Sequence, residues 1–92
     1  MSLKITENNS IYYLKGVISK ATVHFFVEYF TSKLSKKSKI IINIGKTKYI
    51  DKLGLNALKE ILRKSKQKSI EVFIVGKGCK EIYDDMYQTK IV

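Results

Sequence analysis

An α/β domain with a mixed, mostly parallel sheet is predicted for this chain from three features. Two strand-like apolar runs, Ile40-Ile41-Ile42 and Val72-Phe73-Ile74-Val75, each follow a segment with helical apolar spacing. The N-terminal residues carry strand-forming types on both sides of the turn formers Glu7-Asn8-Asn9-Ser10. The 92 residues, 45% hydrophobic and 11% aromatic, suffice for one modest core, and no Pro-, Gly- or Ser-rich linker divides them. One domain over residues 1–92 is therefore expected: a four- or five-stranded sheet with helices packed on it, in the order β-β-α-β-α-β-α.

Leu3-Lys4-Ile5-Thr6 alternates, and Ile11-Tyr12-Tyr13-Leu14 resumes after the turn formers, which reads as a hairpin. Val23, Phe26, Val27, Phe30 and Leu34 then lay one apolar stripe along a helix. Ser19 is placed to cap it through the amide of Ala21 or Thr22, and Lys33, Lys36 and Lys37 suit the negative end of its dipole. Lys39-Ile40-Ile41-Ile42-Asn43-Ile44 lacks alternation, as expected for a strand covered on both faces, and residues 45–50 are expected to form a loop. A second helix turns Leu55, Leu58, Ile61, Leu62 and Ser65 inward and Asn56, Lys59, Glu60, Arg63 and Lys64 outward. Residues 70–75 read as a further buried strand. After Gly76-Lys77-Gly78, a short helix is expected with Cys79, Ile82, Tyr83 and Met86 inward.

Lys plus Arg number 18 against 8 Asp plus Glu, a net charge of +10. All but Arg63 of the basic residues are Lys, so the planar fork that reads base edges is nearly absent. The charge reads as a solvated lysine surface, and no specific nucleic acid is expected as a partner. An electrostatic nucleic-acid or anionic-lipid binder is the alternative from a different class. No apolar run approaches the roughly 18 residues of a membrane span, so no membrane insertion is expected. The N-terminus lacks the apolar region of a signal peptide, and the lone Cys79 forms no internal disulfide, which together point to the cytoplasm.

One His and one Cys assemble neither a nucleophile–base pair nor a metal cluster, so no catalytic residue and no metal is assigned. His24 reads as solvated, Cys79 as a small core residue, and Asp84-Asp85 as pointing to different faces of a helix. Gly76-Lys77-Gly78 lacks the G-x-x-x-x-G-K-[S/T] pattern. No cofactor is expected, with a nucleotide as a minor alternative.

Ile50-Asp51-Lys52-Leu53-Gly54-Leu55 carries the most information. The Asp51 carboxylate is placed to accept the amide of Leu53 or Gly54 as a helix N-cap, and Ile50 and Leu55 have the spacing of a hydrophobic staple. Gly54 costs roughly 1 kcal/mol against Ala in a helix interior, less in a first turn, which implies a close backbone approach. Lys52 puts a cation at the positive end of the helix dipole.

Residues 40–55 resemble the STAS domain, the fold of the bacterial anti-sigma factor antagonists. That family runs through an apolar strand ending in Asp, a loop, then an apolar residue followed by D-S-S-G-L and an amphipathic helix. Asn43 stands at the strand Asp, and Asp51, Gly54 and Leu55 stand at the D, G and L of the motif. Leu14-Lys15-Gly16-Val17-Ile18-Ser19 is similar to the family's L-x-G-x-L-D, and Val72-Phe73-Ile74-Val75-Gly76 to its last core strand. The resemblance covers residues 3–92 and implies a STAS-like fold and a non-catalytic protein-binding role. Ser69 replaces the Gly usual before the last core strand, and the further helix of longer members is not expected.

In regulated members the first Ser of D-S-S-G is phosphorylated by a partner serine kinase, itself an anti-sigma factor, which switches binding off. Lys52 occupies that position and Leu53 the second Ser. A phosphoserine carries about −1.5 to −2 charges, whereas Lys52 carries a positive one and has no hydroxyl to modify; Thr47 keeps a hydroxyl nearby. The resemblance implies a partner surface made by Thr47, Asp51, Lys52, Leu53 and Gly54 with the helical ridge Asn56, Lys59 and Arg63. The expected partner is an anti-sigma factor or serine-kinase-like protein. The runner-up is the ATPase of a bacterial lipid-transport complex. Phe25 lies opposite the apolar stripe of its helix with Tyr29 one turn on, a second candidate interface in a monomer or weak homodimer.

Overall fold

The structure, a computed structural model, describes residues 2–77. Strands β1 (Leu3–Asn8) and β2 (Ile11–Ile18) form an antiparallel hairpin in which Asn8 lies opposite Ile11. Asn9 and Ser10 both take positive φ, 54° and 66°, the two-residue turn whose twist matches that of the flanking strands. Glu7 and Asn8, expected in the turn, therefore belong to β1. The chain continues through α1 (Val23–Leu34), β3 (Lys39–Ile50), α2 (Lys52–Gln67) and β4 (Glu71–Val75). The four strands lie in the order β1-β2-β3-β4, with β2–β3 and β3–β4 parallel. The mixed sheet and the order β-β-α-β-α-β agree with expectation. The final helix expected over Cys79, Ile82, Tyr83, Asp84, Asp85 and Met86 falls on residues outside those described, as does Gly78.

Residues 45–50 are strand and not loop. Lys46-Thr47-Lys48-Tyr49-Ile50 continues β3 and pairs with β2 through Lys15↔Lys46, Gly16↔Thr47, Val17↔Tyr49 and Ile18↔Ile50. The register slips between Tyr13 and Lys15 and again between Gly16 and Val17, so β3 absorbs extra residues as bulges without ending. At the first slip, the Gly45 amide donates to Asn43 Oδ1 at 2.8 Å. A glycine that reads as a strand terminus in the sequence instead marks a bulge.

The expected cover on both faces of β3 and β4 is also corrected. Both parallel crossovers step the same way across the sheet, and right-handed connections then place α1 and α2 on one face. Tyr12, Leu14 and Ile18 of β2, Ile40, Ile42 and Ile44 of β3, and Ile74 of β4 are buried there. They share one core with Phe26, Phe30 and Leu34 of α1 and Ala57, Leu58, Ile61 and Leu62 of α2. Alternate residues face the other way: Tyr13 is 38% exposed, Phe73 42% and Val75 37%. Among the described residues, no helix covers that second face.

The turn into α1 is held by its own hydroxyls. Ser19 Oγ accepts the Ala21 amide at 3.3 Å, as expected, yet the helix itself starts later, with Thr22 at the N-cap. Thr22 Oγ1 accepts the Ser19 amide at 3.0 Å and donates to the Val17 carbonyl at 2.8 Å. Both residues are buried, so the turn is bonded internally at the carboxyl end of β2.

Candidate functional site

The β2–α1 turn and the start of α2 meet at one tip of the domain, beyond the carboxyl ends of β2 and β3. Asp51 joins them. Its Oδ1 accepts the Gly54 amide at 2.8 Å, and its Oδ2 accepts the Lys20 amide at 2.9 Å. Its own amide donates to the Ile18 carbonyl at 3.2 Å. The Gly54 and Lys20 amides, with a further contribution from Leu53, hold the Asp51 carboxyl below the ordinary carboxylate range against opposing desolvation. The Gly54 bond is legible in the sequence. The Lys20 bond is not, because 31 residues separate the partners and no local pattern reports on it.

Gly54 is buried where α2 lies against the end of β2. A Cβ added there would fall 2.0 Å from the Ile18 carbonyl oxygen. The close approach expected from a glycine in the first helical turn is thus made by the chain itself. Ile50 and Leu55 are half-buried and both pack on the core, consistent with the staple.

The expected site residues separate into groups. Lys52 opens α2 and is exposed, and Leu53 beside it is 46% exposed. Thr47 lies apart from them: it is half-buried in β3 opposite Gly16, and its Oγ1 is fully buried without a hydrogen-bond partner. Its hydroxyl is not offered at the tip surface. Asn56 and Arg63 are exposed and Lys59 is half-buried, so the ridge along α2 is uneven. The Arg63 guanidinium bonds the Glu60 carboxylate one turn before it, which raises Arg63 and lowers Glu60. Tyr49, within the segment 47–54 expected at the surface but not singled out there, is 52% exposed near the end of β3, where strand and not loop geometry presents it.

Phe25 is 47% exposed, with its ring 6.0 Å from that of Tyr29. Tyr29 is half-buried and also packs edge-on against Tyr12 at 6.1 Å and Phe30 at 5.2 Å. It is as much a wall of the core as part of a patch. Beside it the Lys33 ammonium lies 5.3 Å from the Tyr29 ring centre and 3.8 Å from the Glu7 carboxylate, which Lys37 also approaches at 3.4 Å. His24 Nε2 lies 3.0 Å from Glu28 Oε1 on the solvent side of α1. Among the described residues, no group of three or more His, Cys, Asp or Glu is placed to hold a metal. Among the same residues, no helix is long and apolar enough to cross a membrane.

The capped turn, the β-β-α-β-α-β order and the buried glycine all agree with the family suggested by the motif. A model of the STAS domain matches residues 1–90. The chain belongs to the STAS domain family. Its fold is shared with the unphosphorylated anti-sigma factor antagonist SpoIIAA, at TM-score 0.63 and 9% identity, over 94% of this chain and 98% of that one. An antisigma-factor antagonist STAS domain from Rhodobacter sphaeroides superposes with TM-score 0.62 at 21% identity, covering 82% of this chain and 85% of the other. A structure of Mglu superposes with TM-score 0.67 at 16% identity over 82% of this chain, which spans only 19% of that longer protein. No curated protein sequence matches the chain significantly.

Proposed function

We propose that this STAS domain is a non-catalytic protein-interaction module of the cytoplasm, of the anti-sigma factor antagonist kind, that binds its partner through the tip formed by Asp51, Lys52, Leu53 and Gly54 and is not switched by phosphorylation there. The observation that carries the reading is the pairing of a rigid turn with an unusual occupant. Asp51 holds the turn through a part-buried hydrogen bond from the Gly54 amide and an exposed one from the Lys20 amide. Gly54 seats it against the Ile18 carbonyl, and Lys52 and Leu53 face solvent. A cation and an exposed leucine suit a protein surface with an acidic group beside an apolar hollow. Asn56 and Arg63 extend that surface along α2, and Lys59 lies between them.

Lys52 has no hydroxyl for a serine kinase to modify, and the hydroxyl of Thr47, the one Ser or Thr on β3, is buried, so it is not available as a substitute without local opening. Affinity capture of the native chain, with partners identified by mass, tests the reading. An anti-sigma factor or kinase-like protein held by the wild-type chain and lost by Lys52→Glu supports it. Capture of a lipid-transport ATPase assigns the module to the alternative complex. Phosphate found on the segment 47–54 by intact-mass and peptide analysis, together with altered binding, would overturn the switch-free reading.

A further inference from the structure

The sheet face left open by the helices carries a second surface, and its chemistry differs from that of the tip. Register places Lys4 opposite Lys15 and Lys15 opposite Lys46, so three ammonium-bearing side chains stand side by side across β1, β2 and β3. Neighbouring strands lie about 4.8 Å apart, and like charges in directly opposed positions oppose sheet formation. All three lysines are exposed, and none has a carboxylate partner among the described residues. The row is flanked by aromatic side chains on the same face. Tyr13 lies on one side of it and Tyr49, opposite Val17, on the other, with Phe73 farther along on β4. These rings are 38%, 52% and 42% exposed. Lys39 adds a cation 5.7 Å from the Phe73 ring, and the one acidic residue on this face among the described residues, Glu71, sits opposite Lys39 at the far end from the lysine row.

We infer that this open face binds a single-stranded polynucleotide, with Lys4, Lys15 and Lys46 along the phosphates and Tyr13, Tyr49 and Phe73 as stacking partners for bases. Unpaired lysines in register with half-exposed rings on a sheet are the two parts such binding requires: a cationic track and π-faces that accept any base. The near absence of arginine means no base-edge fork, so recognition is tolerant of sequence. A duplex hides its bases from such rings. An acidic peptide would use the lysines but has no bases to stack on the rings; an anionic bilayer also accommodates aromatic rings at its interface, so vesicles are the competing ligand in the test. The inference concerns a surface distinct from the Lys52–Leu53 tip and does not depend on the partner proposed there.

Fluorescence anisotropy with a labelled oligonucleotide of about twelve uridines, and with its deoxythymidine counterpart, tests it on the full chain. If three phosphates are neutralised, log affinity against log salt has a slope of about −2, roughly a 20-fold loss between about 50 and 200 mM. Lys15→Gln with Lys46→Gln is expected to reduce that slope to about −0.7. Tyr13→Ala and Phe73→Ala are each expected to weaken binding at least about fivefold. Lys64→Gln with Lys66→Gln, which removes the same charge from α2, is expected to leave affinity within about twofold, and circular dichroism checks that every variant folds. Several results would overturn the inference: binding of neither oligonucleotide, equal affinity for duplex, equal loss from the α2 control, indifference to both aromatic substitutions, or binding to phosphatidylglycerol vesicles or polyglutamate in preference to the oligonucleotides.

Discussion

The first turn of α2 rests directly on the last residue of β2: a Cβ on Gly54 would stand 2.0 Å from the carbonyl oxygen of Ile18. That contact sets how closely the helix approaches the sheet at the tip, and with Asp51 it fixes the turn that carries Lys52 and Leu53. In the open helix interior, Gly54→Ala would gain up to about 1 kcal/mol from propensity. Here the added methyl meets backbone that cannot swing aside, and overpacking of this kind costs about 1–3 kcal/mol. Urea unfolding of Gly54→Ala is therefore expected to show a lower midpoint with an unchanged slope. A midpoint at or above that of the wild type would mean the turn relaxes freely.

Asp51 links acid stability to the tip. Its folded-state carboxyl is held below the ordinary value of 3.8 by the Gly54 and Lys20 amides. A depressed carboxylate contributes stability that is fully present above its unfolded pKa and is lost as pH falls through the folded one. Asp51→Asn keeps one acceptor oxygen and loses the other. It is expected to melt several degrees below the wild type near neutral pH, with the difference shrinking in acid. Thermal melts of both proteins across the acid range check this, and a difference independent of pH would contradict it.

At the opposite end of the sheet, burial and then the Glu7 carboxylate push the Tyr12 hydroxyl up to about 12. Lys37 and Lys33 hold the Glu7 carboxyl below its usual range against desolvation. A raised tyrosine favours the neutral form in the fold, so its contribution is complete below about 10 and fades as pH climbs towards 12. Burial and Glu7 raise Tyr29 as well, so among the described tyrosines absorbance should show Tyr12 and Tyr29 ionising late, and Glu7→Gln should bring that ionisation to lower pH. An unchanged titration in Glu7→Gln would remove the carboxylate as a cause.

The two faces of the sheet predict opposite tolerance to truncation. Leu58 is fully buried among the helix and strand side chains, and Leu58→Ala is expected to cost about 2–5 kcal/mol. Phe73, 42% exposed on the other face, is expected to tolerate Ala within about 1 kcal/mol. Denaturant midpoints of the pair decide the matter, and a comparable loss from both would show that the outer face is packed in solution.

Features set by neighbours along the chain are legible in the amino-acid sequence alone. The apolar stripes ending in Leu34 and Leu62 follow the helical period, and Asp51 and Gly54 signal a capped, tightly approached helix start within four residues. These follow from steric and hydrogen-bonding rules that act locally. Ile40-Ile41-Ile42 is ambiguous in sequence because an uninterrupted apolar run has the same appearance in a strand covered on one face or on two. The direction of the crossovers decides it, burying Ile40 and Ile42 while leaving Ile41 half-open. Gly45 looks like a strand end because a bulge and a terminus share that residue type, and only pairing with β2 out to Ile50 distinguishes them. The Lys20–Asp51 bond and the lysine row of Lys4, Lys15 and Lys46 depend on register between distant segments. Backbone pairing creates such neighbours, and composition alone, here a charge of +10, counts the lysines without saying which of them stand together.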